Sequence, residues 1–276
     1  MHVCGMWGSG LIRSLFVIRG ELPAKVALFV EVLGFASLIV IWELIVRFGV
    51  VTQSLLPSPS SVLYSFKELH FEDALLRNLG YSLKINGLGY IEAVAVAVPI
   101  GFLVGLFPLF RELARRHIDA MRFLPLTALT GVFIAWFGIG TVMKVQFLAF
   151  GIVVYLLPVV VQRINEVEDV YCDTVFTLGA TKWQTIRNVF IPAVLAKLSD
   201  DIRVLVAISW TYIIVAELIN RSDGGIGALA FTAARQSRVD KVFAILIVII
   251  AVGFVQDRLA IWFDRVLFPF KATKYD

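Results

Sequence analysis

Four carboxylates, Glu31, Glu43, Glu92 and Glu217, fall inside or beside long apolar stretches of this sequence. An ionised carboxylate in an apolar medium is costly, so each must be wetted, paired, protonated or put to use. The chemistry open to such groups is to carry a proton or cation, to line a polar path, or to hold a gate. Catalysis has less to stand on. No nucleophile and base recur at a useful spacing in the apolar segments, and the chain has no Gly-x-x-x-x-Gly-Lys-Ser/Thr loop to cradle a nucleotide. Cys4 and Cys172 read as free thiols. They lie, with His2, His70 and His117, at no ligand spacing, so no metal is expected.

The elements that must position these carboxylates are membrane helices. Of 276 residues, 59% are hydrophobic and 17% charged, and the mean hydropathy is +0.86. A soluble chain is about half apolar and a quarter charged. The apolar residues also cluster in blocks of roughly 20, the length that crosses a bilayer. The net charge of +4 and pI near 9.1 fit the Lys/Arg excess of cytoplasmic loops. There is no basic stripe with interleaved aromatics, so nucleic acid is not an expected partner; the lipid bilayer is.

The expected fold is all-α and polytopic, with about six spans. They run from about Val26 to Phe48, Ser82 to Phe107, Ile118 to Phe137, Val142 to Gln162, Ile202 to Ile219 and Val242 to Phe263. Arg122 and Pro125 interrupt the third, and Asp257 and Arg258 intrude near the end of the sixth. Residues 1–25 form a cytoplasmic or interfacial lead-in without the features of a cleaved signal. A transmembrane domain covers 26–268, and a cytoplasmic tail 269–276. With both termini inside, sixteen of the 25 Lys and Arg fall on the inner side and nine outside. Arg221 to Lys241 is the exception, a basic loop on the outer side. Its Arg221, Arg235 and Arg238 can attract an anion or anchor the interface. Trp136, Phe137, Trp210 and Tyr212 suit an interfacial aromatic belt.

Gly101 and Gly105 form a Gly-x-x-x-Gly pair suited to close helix approach. In the outer loop after the first span, the run Leu55-Leu56-Pro57-Ser58-Pro59-Ser60-Ser61-Val62 predicts an extended turn, with Ser60 or Ser61 capping the helix that follows. The longest inner loop, about residues 163–201, carries Val175, Leu178, Trp183, Ile186 and Val189 at helical steps, with Gly179 between two amphipathic stretches. Its form is helix, glycine turn, short helix, then Pro192 just before the fifth span.

That segment resembles the EAA loop of bacterial ABC importer permeases. Asp173, Thr174 and Val175 stand at the Glu-Ala-Ala positions, and Gly179 at the family glycine. Val189, Ile191 and Pro192 match the apolar-x-apolar-Pro ending, and Leu178-Gly179-Ala180-Thr181-Lys182-Trp183 is close to the Leu-Gly-Ala-Ser-x-Trp run common in the family. Asp replaces Glu, and Thr and Val replace the two alanines. The chain looks like the sulfonate, taurine and nitrate branch in four further places. These are Leu55 to Val62, Trp136-Phe137-Gly138-Ile139-Gly140, Val215-Ala216-Glu217 and Gly225-Ile226-Gly227. Together the matches cover about residues 25 to 268.

The resemblance implies a type I ABC importer permease in a bacterial cytoplasmic (inner) membrane, importing a small anionic solute and itself no enzyme. It implies a homodimer with two copies of an ATPase subunit and an extracytoplasmic solute-binding protein. The chain would hold no cofactor, and ATP and Mg would sit on the ATPase. A short coupling helix, about Thr177 to Trp183, would press into the ATPase, so Asp173, Thr177, Leu178, Gly179, Ala180, Thr181, Lys182, Trp183 and Pro192 are its candidate residues. Glu217 stands where the family has a glutamate, which makes it a candidate gate or pathway residue. Glu92 is a second candidate, open between a paired core group and a path-lining one. The rival reading is a stand-alone ion-coupled carrier built on Glu31, Glu92 and Glu217.

Overall fold

The computed structural model describes residues 22–271. Cys4, His2, most of the N-terminal lead-in and most of the expected tail lie outside the described residues. Among the described residues every regular element is helical. Two compact units divide between Leu63 and Tyr64.

The first unit is built on α1, Ala24–Arg47, a 24-residue apolar helix long enough to cross a membrane. Leu28, Phe29, Val32 and Phe35 are exposed on it, as lipid-facing residues would be. Trp42 Nε1 donates to the carbonyl of Pro57 at 2.9 Å and so ties the Pro-Ser-Pro run to α1. Helix α2, Pro59–Phe71, starts there. Its cap is Ser58 rather than the expected Ser60 or Ser61: the Ser61 N–H donates to Ser58 Oγ at 3.2 Å. Pro59, at the first helical position, needs no partner for a missing N–H, which moves the cap one residue upstream of it.

The second unit holds α3 (Leu75–Leu106), α4 (Pro108–Met121), a 3₁₀ turn (Leu126–Leu129) leading into α5 (Thr130–Phe137), α6 (Thr141–Asn165), α7 (Asp169–Thr177), α8 (Lys182–Ile219), α9 (Ile226–Arg235) and α10 (Val239–Leu267). With α1, five helices are long and apolar enough to span a bilayer. A sixth crossing comes only from the bent pair Pro108–Met121 and Leu126–Phe137, which turns by 95°. The third span expected over Ile118 to Phe137 is therefore not one helix. Pro125 has no N–H to give and pushes Leu124 out of the helical region, so the helix that begins at Pro108 stops at Met121.

Helices α3 and α6 pack along a stripe of small residues. Ser82, Gly89, Ala93, Ala97, Gly101 and Gly105 are buried on α3, one seven-residue step followed by four-residue steps, against Leu148, Ile152, Leu156 and Val160 of α6. In lipid, apolar area alone does not hold helices together, so backbone approach and close packing must. A Cβ on Gly101 would sit 2.5 Å from Val160 Cγ1, one on Gly105 2.6 Å from Ile164 Cδ1, and one on Gly89 2.8 Å from Leu148 Cδ2. The expected Gly101–Gly105 pair is thus two thirds of a longer glycine contact. Gly101→Ala should cost about 1–3 kcal/mol through overpacking. Gly87→Ala on the same helix, where nothing lies within 4 Å of the added carbon, should be neutral or slightly stabilising. Unfolding midpoints in detergent separate the two, and equal midpoints would refute the close contact.

The fifth span is longer than expected. It starts at Lys182, not Ile202, and runs for 38 residues, about 57 Å. Pro192 therefore lies inside a continuous helix rather than just ahead of one. A π-helical turn over Ile186–Phe190 precedes it. We attribute the tolerance to that turn, which widens the ladder where the proline ring would meet the carbonyl of the preceding turn. Of the stretch 163–201 assigned to the inner loop, only residues 166–181 lie between the long helices.

Candidate functional site

The first candidate site is the connection between α6 and α8. Its helix α7 ends in a Schellman closure. The Gly179 N–H donates to the Phe176 carbonyl at 2.9 Å and the Ala180 N–H to the Val175 carbonyl at 3.0 Å, with Gly179 at φ +80°. Two residues later α8 opens with a capping box. Gln184 N–H donates to Thr181 Oγ1 at 3.4 Å, and Thr181 N–H donates to Gln184 Oε1 at 2.7 Å. The single short helix expected over Thr177 to Trp183 is therefore a turn between two helices, stopped on one side by Gly179 and restarted on the other by Thr181.

The turn is presented outward. Asp173, Thr177, Thr181 and Lys182 are exposed, and Leu178 and Trp183 are 82% and 67% exposed. Two large apolar side chains bracketing a rigid turn are what a protein partner could grip. Ala180 is half-buried, and Pro192 sits apart from the turn inside α8.

The base of the connection is clamped by charge. Arg163, near the end of α6, reaches Asp201 of α8 with Nε and Nη2, both at 2.7 Å, and Glu166 with Nη1 at 2.6 Å. Lys197 adds a weaker contact to Glu166 at 3.7 Å. The Arg163 guanidinium holds the Glu166 carboxyl below the usual carboxylate range. Arg203 pairs with Asp257 of α10 at 2.8 Å, which accounts for the acid that interrupts the sixth span. A bidentate guanidinium–carboxylate pair fixes geometry as well as charge. The sequence shows these residues only as scattered charges, because their partners are 38 and 54 positions away.

The second candidate site lies at the far end of α8. Glu217 is fully buried; it accepts from Ser82 Oγ at 2.6 Å and from the Gly227 N–H at 2.7 Å. Ser82 Oγ in turn accepts from the Ile226 N–H at 2.8 Å, and the Asn78 side-chain oxygen from the Gly225 N–H at 2.8 Å. Glu217 thus caps the N-terminus of α9 through the Gly227 N–H, while Ser82 takes the Ile226 N–H, two first-turn donors that have no partner within the helix. Beside it Lys144 is fully buried, 3.6 Å from Asp223 and 3.4 Å from the Tyr81 hydroxyl.

Glu92 is elsewhere. It accepts from Gln146 Nε2 at 2.9 Å, and its position on α3 is about 15 Å along the axis from Ser82, the partner of Glu217. The two carboxylates do not share a site. In the basic loop from Arg221 to Lys241, Arg238 pairs with Glu68 and Asp240, each at 2.8 Å, and Lys241 with Asp73 at 2.6 Å. Arg221 and Arg235 flank the Phe231 ring at 4.5 and 5.8 Å. Two of that loop's four basic residues are thereby matched by acids. Trp210 and Tyr212 are not belt residues: Trp210 is buried and donates to Gln256 at 2.8 Å, and Tyr212 stacks on Tyr155. Among the described residues no group of three or more His, Cys, Asp or Glu is placed to hold a metal.

The family described as the binding-protein-dependent transport system inner membrane component matches residues 97–268, more than half of the chain and all of the segment from α4 to α10. The chain belongs to that family. This permease is 30% identical to the aliphatic sulfonates transport permease protein SsuC of Bacillus subtilis, over 86% of its own length and 85% of the relative's. It is 26% identical to the taurine transport system permease protein TauC of Escherichia coli, over 90% and 94%. In three dimensions it resembles a chain of the inward-facing MetNI methionine ABC transporter. The TM-score is 0.63 at 16% identity, covering 70% of the permease and 95% of that chain. The fold is that of a type I ABC importer permease, and the chain is a multi-pass transport component of a binding-protein-dependent importer.

Proposed function

We propose that this permease couples a separate ATPase to import of a small anionic solute, through the exposed turn at Gly179. The observation that carries the reading is α8 itself. One helix bears Lys182 at the turn and Glu217 at the buried cap, 35 residues and about 50 Å apart. Displacement of the turn by a docked ATPase is passed along this helix to the segment that Glu217 anchors, as a rigid-body change between two states. Asp173, Thr177, Leu178, Gly179, Ala180, Thr181, Lys182 and Trp183 form the docking face, and Pro192 lies in the helix that transmits. Glu217 acts on the path by holding α9 rather than by touching solute.

The assembly we propose is a homodimer with two ATPase copies and a solute-binding protein outside, in a bacterial inner membrane with both termini cytoplasmic. ATP and Mg are bound by the ATPase and no cofactor by this chain. Support for an anionic solute comes from the sulfonate and taurine relatives. It also comes from a cavity of about 560 Å³ beside the carboxylate cap, with Arg77 and Arg221 on its wall. Its one carboxylate, Asp223, is engaged by Lys144. The ion-coupled carrier is the weaker reading because Glu92 and Glu217 have separate partners and Glu31 lies on the exposed α1.

Vesicles carrying the purified chain alone should show no uptake of taurine under a proton or sodium gradient. Uptake should appear only with the ATPase, the binding protein and ATP; gradient-driven uptake by the chain alone would overturn the proposal. Topology has its own check. In a background with Cys4 and Cys172 replaced, Lys182→Cys should react with an impermeant maleimide only after the membrane is opened. Labelling of intact cells would place the turn on the wrong side for an ATPase.

A further inference from the structure

Helix α4 carries a set of charges that the transport role does not use. Arg111, Arg115 and Arg122 recur at four- and seven-residue steps, on one side of the helix and its continuation. They line a cavity of about 270 Å³ whose other wall includes Val104 of α3 and Val161 and Asn165 of α6. Arg111 donates through Nη2 to the Gly105 carbonyl, one of the orphan acceptors at the end of α3, and to Asn165 at 3.4 Å. Its Nε is buried and has no partner. Among the described residues, Arg115 and Arg122 form no ion pair, and Asp119 is the only carboxylate on the cavity wall. Arg163, Arg203 and Arg238, by contrast, are matched by acids. Three guanidiniums around one cavity, with a single acid among them, form a site for an anion.

The surroundings say which anion. The opposite face of α4 bears Leu109 and Leu113, 68% and 63% exposed, with the exposed Arg116 at its edge, and the chain just beyond it bears Phe123 at 86%. An apolar face opposite a basic one is the pattern of a helix lying in the membrane interface. The 95° turn between α4 and the apolar helix after it allows this orientation when the latter enters the bilayer. The cavity thus opens at headgroup level, with guanidiniums for a phosphate and Val104 and Val161 for methylenes. A free phosphate would have no use for the apolar wall.

We infer that the cavity between α3, α4 and α6 binds the headgroup phosphate of an anionic phospholipid, held by Arg111, Arg115 and Arg122. The inference needs the chain to be in a membrane but does not depend on the coupling proposal. Native mass spectrometry of the full-length chain, offered equimolar phosphatidylglycerol and phosphatidylcholine in detergent, tests it. The wild type should retain phosphatidylglycerol at least about tenfold over phosphatidylcholine. Arg115→Gln with Arg122→Gln should lower that preference by roughly tenfold or more, at about fivefold per guanidinium. Neither side chain donates to another described residue, so the fold should be preserved, and the Lys pair at the same positions should restore most of the preference. Arg258→Gln with Arg265→Gln, an equal charge loss on α10, should leave it unchanged. Equal retention of the two lipids by the wild type, an unchanged preference in the Gln pair, or an equal loss in the α10 pair would each overturn the site. Displacement of the lipid by millimolar inorganic phosphate would assign the cavity to a free anion instead.

Discussion

Gly179→Val should abolish most ATP-driven uptake by the assembled transporter while leaving the amount of permease in the membrane unchanged. Gly179 has φ +80°, and nothing lies within 4 Å of the Cβ it lacks. The penalty is therefore in the backbone alone, not in packing. A β-branched residue held in the left-handed region is strained by about 2 kcal/mol, roughly a thirtyfold shift against the intact turn. The chain relieves it by rotating out of that region, which breaks the closures from Gly179 to Phe176 and from Ala180 to Val175. Leu178 and Trp183 then no longer project together. Because the turn is exposed, the helical bundle should unfold at the wild-type midpoint. Gly179→Asn, which tolerates the left-handed region, should keep most of the uptake. Uptake by Gly179→Val equal to the wild type would remove the turn from the coupling mechanism, whatever the rest of the chain does.

The parts of this fold legible in the sequence are those set by local composition. The bounds of α1 and α6 were within a few residues because apolar runs begin and end sharply at Ala24, Arg47, Thr141 and Asn165. The bounds of α3 and α8 were not, because their early turns carry Arg77, Asn78, Lys182 and Arg187, which a hydropathy reading assigns to loops. The restart at Thr181 was nonetheless written in the sequence, as Thr-x-x-Gln, and could have moved the start of α8 to Lys182. The glycine turn was legible as a break but not as the end of α7, since the closure needs the φ of Gly179. Least visible was the chemistry of Glu217. The sequence makes it a candidate gate or pathway residue, but its partners Ser82 and Gly227 are 135 and 10 residues away. No spacing rule connects those three, and only packing of α3, α8 and α9 does.

That enclosure makes Glu217 the second position of large effect. Glu217→Ala leaves the buried Gly227 N–H without its acceptor, and takes from Ser82 the acceptor for its hydroxyl. Hydrogen bonds to a charged group are worth about 1.5–3 kcal/mol each, so the loss should reach about 3 kcal/mol or more. Glu217→Gln should be milder, since its amide oxygen can serve Gly227 while Ser82 turns to accept from the amide nitrogen. Gly225 lies against the same carboxylate, at φ +113°, and a Cβ there would overlap the Glu217 carboxyl group. Gly225→Ala should therefore be about as damaging as Glu217→Ala. The pair together should fall well short of additive, because removing the carboxylate opens space for the methyl and leaves only backbone strain at residue 225. Unfolding midpoints of the four proteins in detergent measure that coupling. Strictly additive losses would mean that the carboxylate and the glycine do not share one site, and that Glu217 does not hold α9 in place.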